Sequence, residues 1–246
     1  MNKRIAILGM GDLGIALAAH FLHQNYKVTV WNRSSTKLLM LKNIDYKING
    51  SSPPRLPEIH DGDLYALKLS NFIVIVTSVA DAHEEIIEGI KNNINSNNIV
   101  IVIPGCFGAY YEFRKHLNTN SIYEINPSPI SSRVSITKNT INMKLNSGYY
   151  IGGLGCQKDV KELFPKGEFV SPIHSSLMNV EMILHPTIFL TTKGNISGFY
   201  RDGVNYHNTK IINAIDLERL DLGMHIGIKL PSLVDILKSK YASLNL

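Results

Sequence analysis

The stretch Gly9-Met10-Gly11-Asp12-Leu13-Gly14 limits what this chain can fold into more than any other part of it. Before it stands Arg4 to Leu8, RIAIL, an apolar run too short for a helix. After it, Ile15, Ala16, Leu17, Ala18 and Ala19 have helix-forming character, as far as about His23. The order is strand, glycine turn, helix. Gly9 permits the tight turn, Gly11 lets the backbone approach a pyrophosphate, and Gly14 allows close packing of helix on strand. The helix N-terminus, through Asp12 and Leu13, offers unpaired N–H groups and partial positive charge to phosphates. A lone G-x-G-x-x-G is weak and can be a purely structural turn, but here both flanks have the required character. The motif predicts a dinucleotide site.

The next strand, Lys27 to Trp31, ends in Asn32-Arg33-Ser34-Ser35-Thr36-Lys37. In NAD-binding proteins an acid near this point grips the ribose 2′-hydroxyl. Here the position holds Asn32, followed by a guanidinium, hydroxyls and an ammonium. Arg33, Ser34 and Lys37 suit a 2′-phosphate, because arginine can donate two parallel hydrogen bonds to phosphate oxygens. The expectation is NADP(H) ahead of NAD(H). The bland alternative is a solvated turn that merely lacks an acid.

Leu38 to Lys68 is dominated by turn signals such as Ser51-Ser52-Pro53-Pro54 and Asp61-Gly62-Asp63, with a short helix over Asp63 to Lys68. Phe72 to Thr77 is a continuous apolar run of the kind found in buried parallel strands. Thr77 and Ser78 follow at its carboxyl end, where loops line the cofactor crevice. His83 reads as a first-turn helix residue rather than a catalyst. Further strands are predicted at Asn98 to Ile103, Ser121 to Glu124 and Gly148 to Ile151, with a helix opening at Pro104 to Gly108. The class is α/β: a Rossmann-type doubly wound parallel sheet over residues 1–172, bounded by Val170-Ser171-Pro172.

A small all-helical domain is predicted over residues 173–246. Its first helix covers about Leu177 to Thr191, broken or bent at Pro186, because proline removes a backbone donor. Within it His185 stands among Met182, Ile183, Leu184 and Ile188. The second helix runs from about Asn208 to Gly223. Glu218 and Arg219 interrupt its stripe Ile211, Ile215, Leu222, and Asp216 interrupts Ile212, Leu220, Met224. Such interruptions indicate a site, a partner, a buried ion pair or a solvated face. A third helix starts at Pro231, with Leu233, Ile236, Leu237 and Tyr241 on its apolar face.

Composition excludes several classes. With 44% hydrophobic and 18% charged residues the chain reads as globular. Apolar runs such as Ile99 to Pro104 fall far short of the roughly 18 residues of a membrane span. The apolar run Ile5 to Leu8 after Asn2-Lys3-Arg4 is too short for an export signal. Two cysteines, Cys106 and Cys156, show no metal spacing, and a cytoplasmic location without a metal is expected. The formal charge of +5 comes from scattered lysines, with no basic, aromatic-interleaved stripe for nucleic acid.

NVEMILHPTIFL, GFYRDGVNYHNTKIINAIDLERL and LPSLVDILKSKY resemble the C-terminal domain of the octopine/nopaline (opine) dehydrogenases. GMGDLG, VTSVADAHEEI and IPGCFGAYYEFRKHL resemble that family's first domain in order and spacing. The resemblance covers nearly the whole chain. It implies reductive condensation of an α-keto acid with the amine of an amino acid, using NAD(P)H. It also implies that His185 is the proton donor and that Asn179 lines the same cleft. Glu124 and Arg133 match a family pair loosely, and Arg133 or Arg201 is the candidate ligand for a substrate carboxylate. By the same resemblance the family continues for roughly another hundred residues beyond Leu246. That part carries an acid that pairs with the histidine, so Glu181 and Asp216 are candidate substitutes, and a homodimer that completes the cleft is expected. Two other readings stay open. One is another hydroxyacid-type dehydrogenase, whose Lys-x-x-x-Asn signature is poorly met by Lys193 and Ser197. The other is a non-catalytic, cofactor-binding protein.

Overall fold

Eight strands build the main sheet of the computed structural model, which describes residues 4–135, 138–194 and 198–241, with the backbone alone at 240 and 241. Ser197 and the Tyr241 side chain lie outside the described parts. The strands of the chain are β1 (Arg4–Leu8), β2 (Lys27–Trp31), β3 (Glu58–Ile59), β4 (Phe72–Val76), β5 (Ile99–Val102), β6 (Ser121–Asn126), β7 (Ile130–Ser135), β8 (Thr140–Leu145), β9 (Tyr150–Leu154) and β10 (Glu168–Val170). The helices are α1 (Asp12–His23), α2 (Ser35–Leu41), α3 (His83–Ile90), α4 (Ala109–His116), α5 (Gln157–Leu163), α6 (Pro172–Leu177), α7 (Glu181–Thr192), α8 (Tyr206–His225) and α9 (Leu233–Tyr241).

The sheet order is β10-β9-β6-β5-β4-β1-β2-β3. From β3 across to β6 every pairing is parallel, with Ile5 opposite both Val28 and Ile73. The continuous apolar runs follow from burial on both faces. In β1, Ile5 and Ile7 enter one core with Leu17, Phe21 and Ile101, while Ala6 and Leu8 enter the opposite core with Ile86, Ile90 and Phe113. Helices therefore cover both sides of the sheet, as a doubly wound fold requires.

Three features depart from the expected pattern. β9 runs antiparallel to β6, so the sheet is parallel only in its larger part. β7 and β8 form a separate antiparallel hairpin packed against α1. Its sequences, ISSRVS and TINMKL, alternate too weakly to announce strands. The third departure concerns Pro186. The expected helix break lies at Met178 to Val180, between α6 and α7, and α7 passes through Pro186 uninterrupted. The break is fixed by a side chain: Asn179 Nδ2 donates to the Gly105 carbonyl at 2.6 Å. Pro186 is only the sixth residue of α7, so its missing N–H spoils little of the ladder.

The helical segment has its own core of Met178, Ile183, Leu184, Ile188, Ile212, Leu233 and Ile236. The charges on α8 resolve as a buried ion pair. Asn208, Ile212, Asp216, Arg219 and Gly223 form its buried stripe, and Ile211, Ile215 and Leu222 lie exposed. Arg219 Nε donates to Asp216 Oδ1 at 2.8 Å, while Nη1 and Nη2 donate to the carbonyls of Leu177 and Pro231 at 3.0 and 2.6 Å. Asp216 Oδ2 accepts from Leu233 N at 2.8 Å, capping α9. One carboxylate and one guanidinium thus tie α6, α8 and α9 together. Helix α9 begins at Leu233 rather than Pro231, after Ser232, whose Oγ accepts from Asp235 N at 3.2 Å.

Candidate active site

Two clefts concern function, and the first forms where β1 gives way to α1. Gly9 has φ +100°, a left-handed conformation that favours glycine, and its N–H donates to Trp31 O at 2.9 Å. A Cβ on Gly14 would overlap the Gly9 carbonyl oxygen, so helix and turn meet with no room for a side chain. A Cβ on Gly11 would meet nothing within 4 Å, because Gly11 faces open space. Thr77, at the end of β4, donates its hydroxyl to Gly9 O and fixes the loop from below. The N–H groups of Asp12, Leu13 and Gly14, in the first turn of α1, have no acceptors within that helix.

This cleft measures about 260 Å³ and is lined by Gly9, Gly11, Asn32, Arg33, Ser34, Lys37, Thr77 and Ser78, among others. Those eight are sequence-predicted cofactor residues, drawn from three separate strand ends. Asn32 Oδ1 accepts from Met10 N at 2.9 Å, so it braces the glycine loop. Ser34 is also the N-cap of α2, accepting from Lys37 N at 3.3 Å. Ser78 Oγ is buried with no partner among the described residues. A buried, unpaired hydroxyl and an open glycine cradle fit a dinucleotide that brings its own hydrogen-bonding groups. Sequence alone missed Glu85 here. Its Oε2 takes Arg33 Nη1 at 2.9 Å, and both side chains are at least half exposed.

The second cleft, about 670 Å³, is lined by Arg133, His185, Pro186, Phe189, Phe199 and Tyr200. Arg133 comes from the β7–β8 hairpin and His185 from α7, so their meeting depends wholly on the fold. On α7, Met182, His185, Pro186 and Phe189 share the exposed face, while Ile183, Leu184 and Ile188 face the core. His185 Nε2 lies 2.7 Å from the Tyr200 hydroxyl. Phe199 packs edge-on against both rings, at 5.1 Å from His185 and 5.2 Å from Tyr200. The turn carrying Phe199 and Tyr200 is held by Asn208, whose Nδ2 donates to Gly203 O at 2.6 Å and to Thr191 Oγ1 at 3.1 Å.

The remaining predicted substrate residues are placed elsewhere. Arg201 forms a two-pronged contact with its neighbour Asp202, at 2.7 and 2.9 Å, and does not line the cleft. Glu124 is fully buried and cannot touch a ligand in the open cleft. Its carboxylate accepts from Ser176 Oγ at 2.6 Å and from Tyr110 N at 3.0 Å, joining β6 to α6 and α4. Burial pushes this carboxyl up to about 7, against the downward pull of the bonds from Ser176 and Tyr110. Asn179 is buried at the α6–α7 break, and its Oδ1 has no partner among the described residues. Of the two candidate acids for His185, Asp216 is committed to Arg219, and Glu181 is not among the lining residues. His83 opens α3, as expected, and pairs with Glu112 at 2.8 Å. Among the described residues, no cluster of metal-binding side chains occurs, and no helix is long and apolar enough to cross a membrane.

Known proteins align with both parts of the chain. Residues 4–106 match the NAD binding domain of 6-phosphogluconate dehydrogenase, and the protein is an NAD(P)-dependent oxidoreductase. Residues 170–245 match the alpha-helical domain of NAD/NADP octopine/nopaline dehydrogenase. The helical segment is thus similar to the helical domain of the octopine/nopaline dehydrogenases. An opine dehydrogenase from Arthrobacter sp. is 24% identical, over 98% of this chain and 72% of its own length. An NADPH-dependent reductive aminase from Aspergillus oryzae is 34% identical, over 33% of this chain and 27% of its own. The structure of octopine dehydrogenase in complex with NADH and agmatine superposes with a TM-score of 0.72 at 14% identity, over 98% of this chain and 70% of that one.

Proposed function

We propose that this protein is an NADP(H)-dependent opine-type dehydrogenase that condenses an α-keto acid with an amino-acid amine and reduces the product. The observation that carries this reading is the meeting of Arg133 and His185 in one cleft. Reductive condensation needs a cation for the keto-acid carboxylate and a group that supplies a proton as hydride arrives. A nicotinamide dinucleotide held by the glycine loop, the Asn32–Lys37 turn, Thr77 and Ser78 would supply the hydride. Arg133 takes the carboxylate in a bidentate contact, which fixes the orientation of the adjacent carbon. His185 gives its proton to the substrate heteroatom and regains one from solvent, to which it is exposed. Arg201 takes no part in this reading. Glu124 and Asn179 serve as supports, holding α4, α6 and the Gly105 loop beneath the site. The dinucleotide unit comprises residues 1–172 and the substrate unit 173–246, with Arg133 reaching from the first into the cleft of the second.

The cofactor preference rests on the cations of the first cleft, Arg33 and Lys37, which face a single lining acid, Glu85. A 2′-phosphate would compete with Glu85 for Arg33, and charge-assisted bonds of this kind are worth about 1.5–3 kcal/mol before solvent screening. Because Arg33 is well exposed, the lower end applies. Arg33→Ala is expected to raise KM for NADPH by about tenfold and to leave KM for NADH nearly unchanged. Steady-state kinetics with both cofactors decide the point, and an equal rise for both would remove the NADP(H) assignment.

A further inference from the structure

The phenol of Tyr200 stands where the cleft offers His185 a hydrogen-bonding partner. Its oxygen is 2.7 Å from Nε2, and the two rings lie 5.9 Å apart at 49°. No carboxylate is among the six residues lining the cleft. Asp202, two residues along the same turn, is paired with Arg201.

We propose that Tyr200 is the positioning residue for proton delivery by His185, an inference that rests on reading His185 as the proton donor. A phenol is both donor and acceptor, whereas an ionised carboxylate only accepts. In the neutral ring left after transfer, Nε2–H donates to the Tyr200 oxygen, which leaves Nδ1 as the nitrogen that gains and loses the proton. Against imidazolium, Nε2–H donates to the Tyr200 oxygen, and the phenol proton turns aside. The ring keeps one orientation through both states. The proton therefore leaves from Nδ1 to the substrate nitrogen or oxygen. His185 ends neutral with its remaining proton on Nε2, still donated to the Tyr200 oxygen, and Nδ1 takes a new proton from solvent, so no charge is left on the phenol.

Phe199 reinforces this arrangement. It stands at 89° to the imidazole and 88° to the phenol, which resists rotation of either ring. The bond is also ill suited to a purely structural role. Tyr200 is 46% exposed, and a hydrogen bond at such a surface adds little to folding. Tyr200 further explains why the Tyr-Arg-Asp-Gly turn reaches the cleft at all, since its arginine and aspartate satisfy each other.

Tyr200→Phe keeps the ring and its packing on Phe199 and removes the hydroxyl. Expected is a fall in kcat of about 10–100-fold, with KM for keto acid and amine changed by less than about threefold and NADPH affinity unchanged. The solvent isotope effect on kcat should rise, because proton delivery becomes slower. Incorporation of 3-fluorotyrosine at position 200, which restores a hydroxyl, should recover most of the rate. A Tyr200→Phe enzyme with wild-type kcat, alongside an inactive His185→Ala enzyme, would overturn the role of Tyr200 alone. Full turnover by His185→Ala would instead overturn the proton-donor reading beneath it. Parallel loss of kcat and cofactor affinity in Tyr200→Phe, without recovery by fluorotyrosine, would make Tyr200 a structural residue and equally overturn the proposal.

Discussion

His185→Ala is expected to lower kcat for NADPH oxidation by about 10²–10⁴-fold, the range set by loss of a positioned general acid. NADPH affinity should hold, because His185 is not among the residues lining the glycine cleft. Stability should hold as well. The side chain is exposed on α7, and such replacements usually change stability by no more than about 0.5 kcal/mol. The informative pair of measurements is therefore cofactor binding by fluorescence and turnover under saturating substrates. Retained binding with lost turnover places His185 in the chemistry. Retained turnover would remove it, and loss of both would mean that α7 orders the cofactor site instead.

The largest expected effect on stability lies at Asp216. The Asp216 and Arg219 side chains are 10% and 3% exposed. Asp216→Ala leaves the guanidinium buried with only the Leu177 and Pro231 carbonyls, and it removes the cap on Leu233 N. Breaking a buried pair by deleting one partner costs about 3–5 kcal/mol, against a total stability of roughly 5–15 kcal/mol for a typical protein. A fall in Tm of roughly 10 °C follows for a chain of this size. Removing both charges together, with Asp216→Leu and Arg219→Met, should recover much of the loss, since the penalty comes from the unpaired charge rather than from a missing attraction. Thermal unfolding of the three proteins tests this, and a loss under about 1 kcal/mol in Asp216→Ala would contradict the role given to the pair.

The parts of the molecule legible in sequence are those set by near neighbours. The turn at Gly9 to Gly14 could be read because strand, turn and helix lie within some twenty residues, and Gly9 and Gly14 each have a local steric reason. Buried strands such as Phe72–Val76 could be read because a sheet covered on both faces demands an unbroken apolar run. The second cleft was only half legible. His185 stood out as an imidazole on an apolar helix, but Tyr200 reaches it through a turn whose shape depends on Asn208. Arg201 looked as good a ligand as Arg133 in sequence, yet the adjacent Asp202 takes its guanidinium. Likewise Glu124 looked functional because it is a carboxylate in a matching segment, while burial and its bond to Ser176 turn it into a tie between elements. Arg133 lies on a hairpin with little alternation, so neither its strand nor its proximity to His185 could be read from local pattern. Such contacts are fixed by tertiary packing, which spacing along the chain does not encode.

The same distinction between scaffold and site bears on activity. A sheet of this kind hosts many dehydrogenations, so the fold leaves the reaction open, and the proposal of condensation rests on a guanidinium and an imidazole lining one cleft. The most direct measurement is the mass of the product formed from NADPH carrying deuterium at the transferred position, with a keto acid and an amino acid both present. The expected product is a single secondary amine that joins the two substrates with loss of water and carries one deuterium on the former keto carbon. A deuterated 2-hydroxy acid, formed equally well without the amine, would contradict the assignment and make the protein a hydroxyacid-type dehydrogenase.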